Sequence, residues 1–462
     1  MKKYRPRTLS RTARTELAKL MIRVGAPQKA LSILYGVVRS ANPHVKPEPT
    51  ESAVYAHALL KIGSFAEAEK ILLVLPESLP DVHLFQGSAK QMQWDYRGSI
   101  DHLLNYVQHT ALSDPYARAV AMVNLAAAYV GCGEFDLARA TLSELEPQIA
   151  KNGWSLLNKN CQELSAQIAF HQKDWQRAEH LLNRAGREGD AGLSDLMIQK
   201  WSLFCRAVKA PSEEAIAEIV NFRDKAAQIR HSETVRECDR MIGQLKRDPN
   251  LMNKVYFGTP HESYRKMLLQ NNPWFDPPPS YLHGDPGGVC VDLLTAVCAE
   301  RSEVSLQPGK MIHRALCSLF NDFYRPQSMG SLFASFFPDE FFNPLSGPGR
   351  ISTVIHRVRT WAVDHRLPLE INKSGGIYQI DLRPGLAFRI HAERAPTDMY
   401  VLGYLHQLRP HLGENGSFQR KEMADLLGIS KAKANMILKR ALESGLITRR
   451  GLSRFVRYEL CG

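Results

Sequence analysis

The strongest constraint on this chain is a short turn pattern that keeps returning through its first half. A small or polar turn is followed by an aromatic residue or Pro, two further residues and a small residue. It reads Gly25-Ala26-Pro27-Gln28-Lys29-Ala30, Gly63-Ser64-Phe65-Ala66-Glu67-Ala68 and Trp94-Asp95-Tyr96-Arg97-Gly98-Ser99. It returns as Gly133-Glu134-Phe135-Asp136-Leu137-Ala138 and Lys173-Asp174-Trp175-Gln176-Arg177-Ala178, with a weaker copy from Ala210-Pro211 to Ala215. The closing small residues stand at 30, 68, 99, 138, 178 and 215, which is 31 to 40 residues apart. A period of that length, with a helix on each side of every turn, is the signature of an α-solenoid. Gly suits a helix end where φ turns positive. The ring fills the gap between paired helices, and the Ala lets their backbones approach.

Over residues 1–248 this pattern resembles tetratricopeptide repeats, most closely from Tyr55 to Ala68. Most intervals exceed the ~34 residues of the standard repeat. The resemblance implies stacked helix pairs that take a protein, peptide or small ligand on a concave face. Trp154, Trp175 and Trp201 are candidates to line that face, with core packing as their other fate. An ordinary helical bundle is the competing architecture.

Residues 249–288 read as a connector. Asn271-Asn272-Pro273-Trp274-Phe275-Asp276-Pro277-Pro278-Pro279 breaks any helix, because each Pro removes a donor and restricts its predecessor. His283-Gly284-Asp285-Pro286-Gly287-Gly288 follows.

From Val289 the chain changes character. Val289–Val297 and Ser302–Leu306 are apolar runs suited to a small sheet. A helix is expected after Lys310, and Ser328 is placed to cap another from Met329 to Phe337. After a Pro/Gly-rich loop, residues 350–362 form an amphipathic helix with Ile351, Ile355, Val358 and Ala362 in one sector. Its opposite side carries Thr353, His356, Arg357 and Thr360, with Arg350 and Arg359 at the margins. Leu369–Ile371 and Ile377–Leu382 around Gly375-Gly376 read as a hairpin with Lys373 near its tip. Over residues 289–383 this order resembles the OmpR-type DNA-binding domain of response regulators. The resemblance implies that Ser352, Thr353, His356, Arg357 and Thr360 face bases or phosphates while Arg350, Arg359 and Lys373 hold the DNA backbone. A receiver domain is absent, so phosphorylation control is not expected.

Residues 396–462 carry a second pattern. Glu422–Leu427 is a short helix, Gly428 a turn, and Ser430 a cap for a helix from Lys431 to Ser444 that ends at Gly445. Strands follow on either side of Arg449-Arg450-Gly451. This resembles a bacterial winged helix-turn-helix of the MarR or GntR sort. It implies DNA contacts from Lys431, Lys433, Lys439, Arg440, Arg449, Arg450 and Arg454, although such modules also serve in dimerisation or protein docking.

Composition narrows the rest. Lys and Arg outnumber Asp and Glu by 59 to 47, a net +12 that favours an acidic partner without choosing its kind. The 8 Cys include no C-x-x-C pair, which excludes zinc frameworks and points to thiols in a reducing cytoplasm. The basic N-terminus lacks the apolar stretch of a signal peptide, and no run reaches the ~20 apolar residues of a membrane helix. No phosphate-binding Gly-rich loop, nucleophile elbow or H-E-x-x-H occurs, and His261-Glu262 lacks its second His. No catalytic residue, metal or cofactor is expected.

The sequence therefore predicts a mainly α protein: an N-terminal α-solenoid followed by two small α+β winged-helix domains. The leading expectation is a cytoplasmic bacterial transcription regulator binding double-stranded DNA, with a signalling protein, peptide or small ligand on the repeats. A homo-oligomer is compatible with this and no membrane partner is expected. The alternative is an adaptor or scaffold whose repeats and winged helices dock proteins rather than DNA.

Overall fold

The computed structural model describes residues 9–110, 114–187, 193–298, 300–304, 306–338, 340–392, 399–412, 416–451 and 456–460. The chain falls into two compact units: Met1–Asp276 with Ser328–Ala334 and Asp339–Pro348, and Pro277–Gln327 with Ser335–Pro338 and Gly349–Gly462.

The first unit is a row of helix pairs. They are α1 (Arg11–Arg23) and α2 (Pro27–Val38), α3 (Pro49–Lys61) and α4 (Phe65–Leu72), and α5 (Pro80–Met92) and α6 (Tyr96–His109). The row continues with α7 (Pro115–Gly131) and α8 (Phe135–Asn152), then α9 (Ser155–His171) and α10 (Trp175–Arg187). It ends with α11 (Leu193–Lys209), α12 (Glu213–Gln228), α13 (Ser232–Lys246), α14 (Pro249–Phe257) and α15 (Glu262–Asn271). Each helix packs mainly on its sequence neighbours, as a solenoid requires. The segment expected as a connector, 249–288, thus contains α14, α15 and a whole strand, Ser280–Gly284.

The repeat motif is one physical device used several times. Residues 25, 63, 94, 133 and 173 all have φ between 61° and 82°. In each turn the amide one residue later reaches back five residues, as from Ser64 to Leu59 and from Glu134 to Tyr129, both at 2.9 Å. These bonds close the carbonyls left open at the helix end. Ala30, Ala68, Ser99, Ala138 and Ala178 are fully buried where the paired helices touch. A turn of the same kind follows α12 at Arg230-His231, which no Gly announces.

Three-stranded sheets organise the second unit. The strands are β1 (Ser280–Gly284), β2 (Val289–Asp292), β3 (Gln327–Ser328), β4 (Leu369–Ser374), β5 (Ile377–Leu382), β6 (Leu386–His391), β7 (Ser417–Phe418), β8 (Ile447–Arg450) and β9 (Arg457–Leu460). Their orders are β1-β6-β2, β3-β5-β4 and β7-β9-β8. The helices of this part of the chain are α16 (Met311–Leu319), α17 (Met329–Phe336), α18 (Gly347–Asp364), α19 (Met399–Leu408), α20 (Arg420–Leu426) and α21 (Lys431–Glu443), of which Met329–Ala334 and Gly347–Pro348 belong to the first unit. Helix, short strand, two helices and a hairpin is winged-helix order, and it occurs twice. The chain is therefore mainly α-helical, with helix pairs first and two small α+β modules after them.

Two local expectations are corrected. Ser302–Val304 is a 3-10 turn and not a strand, and only Val289–Asp292 of the first apolar run is extended. The third strand of that sheet comes instead from β6, antiparallel to β1 and parallel to β2. Ser328 caps α17 as expected, accepting from the Ser331 amide at 3.3 Å. Within the first unit Ser328 also donates to the Ile62 carbonyl at 2.6 Å, and the Gly330 amide donates to the same oxygen at 2.9 Å.

Candidate interaction sites

Helices α10, α11 and α12 enclose a cleft of about 860 Å³ in the first unit. That is within the roughly 300–1,000 Å³ common for ligand clefts. Leu182, Ile198 and Phe222 are buried at its base and Leu203 is half-buried beside them. Asn183, Gln199, Ser202 and Asn221 line its sides. None of these four side chains bonds to another group among the described residues. An Arg206–Glu218 ion pair at 2.9 Å and Lys225 stand at the margin. The cleft combines an apolar base with unused amide donors and acceptors. Those are the groups that hold an extended backbone by hydrogen bonds while a side chain is buried.

None of Trp154, Trp175 and Trp201 lines this cleft. Trp201 is buried in the core of α9 to α13, and Trp154 packs half-buried on the core of α6 to α9. Trp175 is half-buried, edge-on to Phe170 at 5.2 Å.

A second feature escaped sequence reasoning. On α13, Arg240 forms a forked bond to Glu237 at 2.9 and 2.7 Å, and the Tyr264 hydroxyl of α15 donates to Glu237 at 2.6 Å. Gln244 joins Arg240 to Asn272, while Arg223 and Lys254 meet Asp239 at 3.2 and 2.8 Å. Burial pushes the Glu237 carboxyl up, but Arg240, Lys200 and Tyr264 outweigh it and hold it below the ordinary carboxylate range. The opposite holds for Glu163, whose carboxyl burial raises despite Lys200. The sequence signal was the charged run Arg236-Glu237 and Asp239-Arg240 on one helix. Its charges are matched internally, so the cluster braces the helices.

The residues predicted to touch DNA behave unevenly. On α18, Ile351, Val354, Ile355 and Val358 are buried, while Ser352, Thr353, His356, Arg357 and Thr360 are exposed. The margin cations are engaged: Arg359 donates to the Ile371 carbonyl and Arg350 lies over Phe337 at 3.8 Å. Lys373 sits over Tyr378 at 5.4 Å, and the Thr353 hydroxyl donates to Gly349 at 3.1 Å. Val363, on the same helix, is 75% exposed.

In the last module Lys433 lies over Tyr404 at 4.6 Å, Lys439 pairs with Glu443 at 3.8 Å and Arg450 with Glu459 at 3.1 Å. Lys431, Arg440 and Arg449 are exposed. Arg454 lies outside the described residues.

No family model and no curated protein matches the chain. Among solved structures it is similar to the human IFIT1 dimer with m7Gppp-AAAA, at 13% identity and a TM-score of 0.29, covering 93% of this chain and 80% of that one. It is also similar to a monomeric IFIT1 mutant with Gppp-AAAA, at 12% identity, TM-score 0.29 and coverages of 93% and 80%. A third match is the human IFIT1 dimer with PPP-AAAA, at 12% identity, TM-score 0.28 and coverages of 93% and 82%.

The expectation of a sequence-specific, DNA-binding bacterial transcription regulator with an OmpR-type domain is corrected. Neither the family models nor the solved structures matched supply a DNA-binding regulator in its support. In the chain itself, Arg359, Arg350, Lys373, Lys433, Lys439 and Arg450 are engaged with neighbouring groups.

Among the described residues no group of three or more His, Cys, Asp or Glu is placed to hold a metal ion, and no helix is long and apolar enough to cross a membrane.

Proposed function

We propose that this chain is an adaptor that docks protein segments, with helical repeats and winged helices both serving as protein-binding surfaces. The observation that carries the reading is the α10–α12 cleft, where Asn183, Gln199, Ser202 and Asn221 surround a buried apolar base without using their hydrogen-bonding capacity internally. An extended peptide supplies the matching donors and acceptors, and one apolar side chain fits the base. The division into a repeat domain (1–248), connector (249–288) and winged helices (289–383 and 396–462) belongs to this proposal, as does a non-catalytic role. The seven described cysteines are free thiols, which suits a reducing cytoplasm.

The test is selection of binders from a random peptide display library on the full chain, followed by titration of the best peptide. Asn183→Ala and Asn221→Ala should each weaken it about tenfold, the scale of one well-made hydrogen bond to a buried backbone. If no selected peptide were weakened by either variant, the reading of the cleft would be defeated.

A further inference from the structure

The last winged helix gathers cations at two places where they weaken the local structure, and an anionic partner would offset that cost. Helix α21 opens with Lys431 and Lys433 and has no acidic residue in its first turn, although a helix N-terminus disfavours cations. In the hairpin, Arg450 stands directly opposite Arg457, a like-charged pair that weakens strand pairing. Glu459 meets Arg450, and Glu422 meets Arg457 at 3.7 Å, so the pair is offset only in part. Lys421, Lys431 and Arg449 are exposed and form no ion pair among the described residues.

Apolar surface is exposed on the same two helices. Met436 falls between Lys439 and Arg440 on the outer side of α21 and is 40% exposed, and Leu426 at the end of α20 is 45% exposed. The carboxylates Asp425 and Glu443 are exposed on the same two helices and work against any anionic partner, Glu443 less so because it pairs with Lys439 at 3.8 Å. A phosphate backbone uses the cations and has no use for Met436 or Leu426. An acidic protein segment with interspersed apolar side chains uses both the cations and the apolar side chains.

We infer that the module from Met399 to Leu460 docks an acidic, amphipathic segment of a partner protein, with Lys431, Arg449 and Lys421 meeting its carboxylates and Met436 and Leu426 its apolar side chains. This rests on the adaptor reading but uses a surface separate from the α10–α12 cleft.

The experiment is fluorescence anisotropy on the full chain with three probes. These are a labelled peptide of alternating Asp/Glu and Leu/Phe, the same peptide with Asn/Gln in place of Asp/Glu, and a mixed-sequence duplex DNA. The acidic peptide should bind about tenfold or more tightly than its amide counterpart, with affinity falling as salt rises. Lys431→Glu with Arg449→Glu should weaken it about tenfold, and Met436→Ser should weaken it at every salt concentration. Both substitutions fall on exposed side chains, and unchanged circular dichroism would confirm folding. Equal binding of both peptides, tighter binding of the duplex, or indifference to all three substitutions would overturn the inference. Asn183→Ala should leave acidic-peptide binding unchanged, so failure here is separable from failure of the cleft.

Discussion

The Tyr264 hydroxyl donates to the Glu237 carboxylate at 2.6 Å, while the ring of Tyr264 meets Trp94 edge-on with centroids 4.6 Å apart. One side chain of α15 thus reaches both α13 and the α5–α6 turn, so the helix pairs of the first unit are braced across the row as well as along it. Hydrogen bonds to charged groups contribute about 1.5–3 kcal/mol. Tyr264→Phe should lower unfolding stability by that amount in urea titration, and an unchanged midpoint would remove the brace.

Lys173 adopts φ 64° in a turn where the related positions 25, 63 and 133 are Gly. The left-handed conformation costs an ordinary residue roughly 1 kcal/mol. Lys173→Gly should therefore be neutral to stabilising by up to about 1 kcal/mol, whereas Gly133→Val should destabilise. Equilibrium unfolding of the two variants measures the contrast.

Ala138 is fully buried where α8 meets its neighbours. Ala138→Leu overpacks that contact and should cost roughly 1–3 kcal/mol, read as a lower thermal midpoint. Gly330 makes a similar point by closer approach: a Cβ there would run into the Ile62 carbonyl that its amide already bonds. Gly330→Ala should fall in the same range.

Burial pushes the His57 imidazole down to about 4, with Lys61 adding to the effect, and its ring stacks on Phe85 at 4.2 Å. The unfolded chain binds a proton at this position near the ordinary histidine pKa of about 6.5, and the folded chain does not until about 4. Stability from this group is therefore full above pH 6.5 and is lost as pH falls toward 4, on the order of 3 kcal/mol. His57→Phe should flatten that part of the stability profile in urea titrations across the window. An identical slope in the variant would reassign the effect.

Much of the fold was legible in the sequence because local chemistry dictated it. Ala30, Ala68, Ala138 and Ala178 mark close helix contacts wherever they recur, and Gly375-Gly376 closes the β4–β5 hairpin. Nothing in the side chains of Trp94 and Lys173 announces positive φ, and those two copies of the turn were read from the residues that follow them; the turn at Arg230-His231 was missed. Strand β6 was missed because its partners β1 and β2 lie about a hundred residues earlier, and local pattern carries no trace of such pairing. The cleft was invisible for a related reason: Asn183 and Asn221 stay exposed, and only the setting of α10 and α12 around α11 brings them to one cleft. The cations of α18 and α21 were found by type, but Arg359 bonding Ile371 and Lys433 covering Tyr404 depend on tertiary packing.

The most direct test of the adaptor account is a paired titration of the full chain at physiological salt, with a library-selected peptide and with mixed-sequence duplex DNA. The account predicts saturable peptide binding that Asn183→Ala and Asn221→Ala weaken together, and no saturable binding of the duplex. Saturable, salt-dependent binding of the duplex, with every selected peptide indifferent to the cleft substitutions, would contradict it.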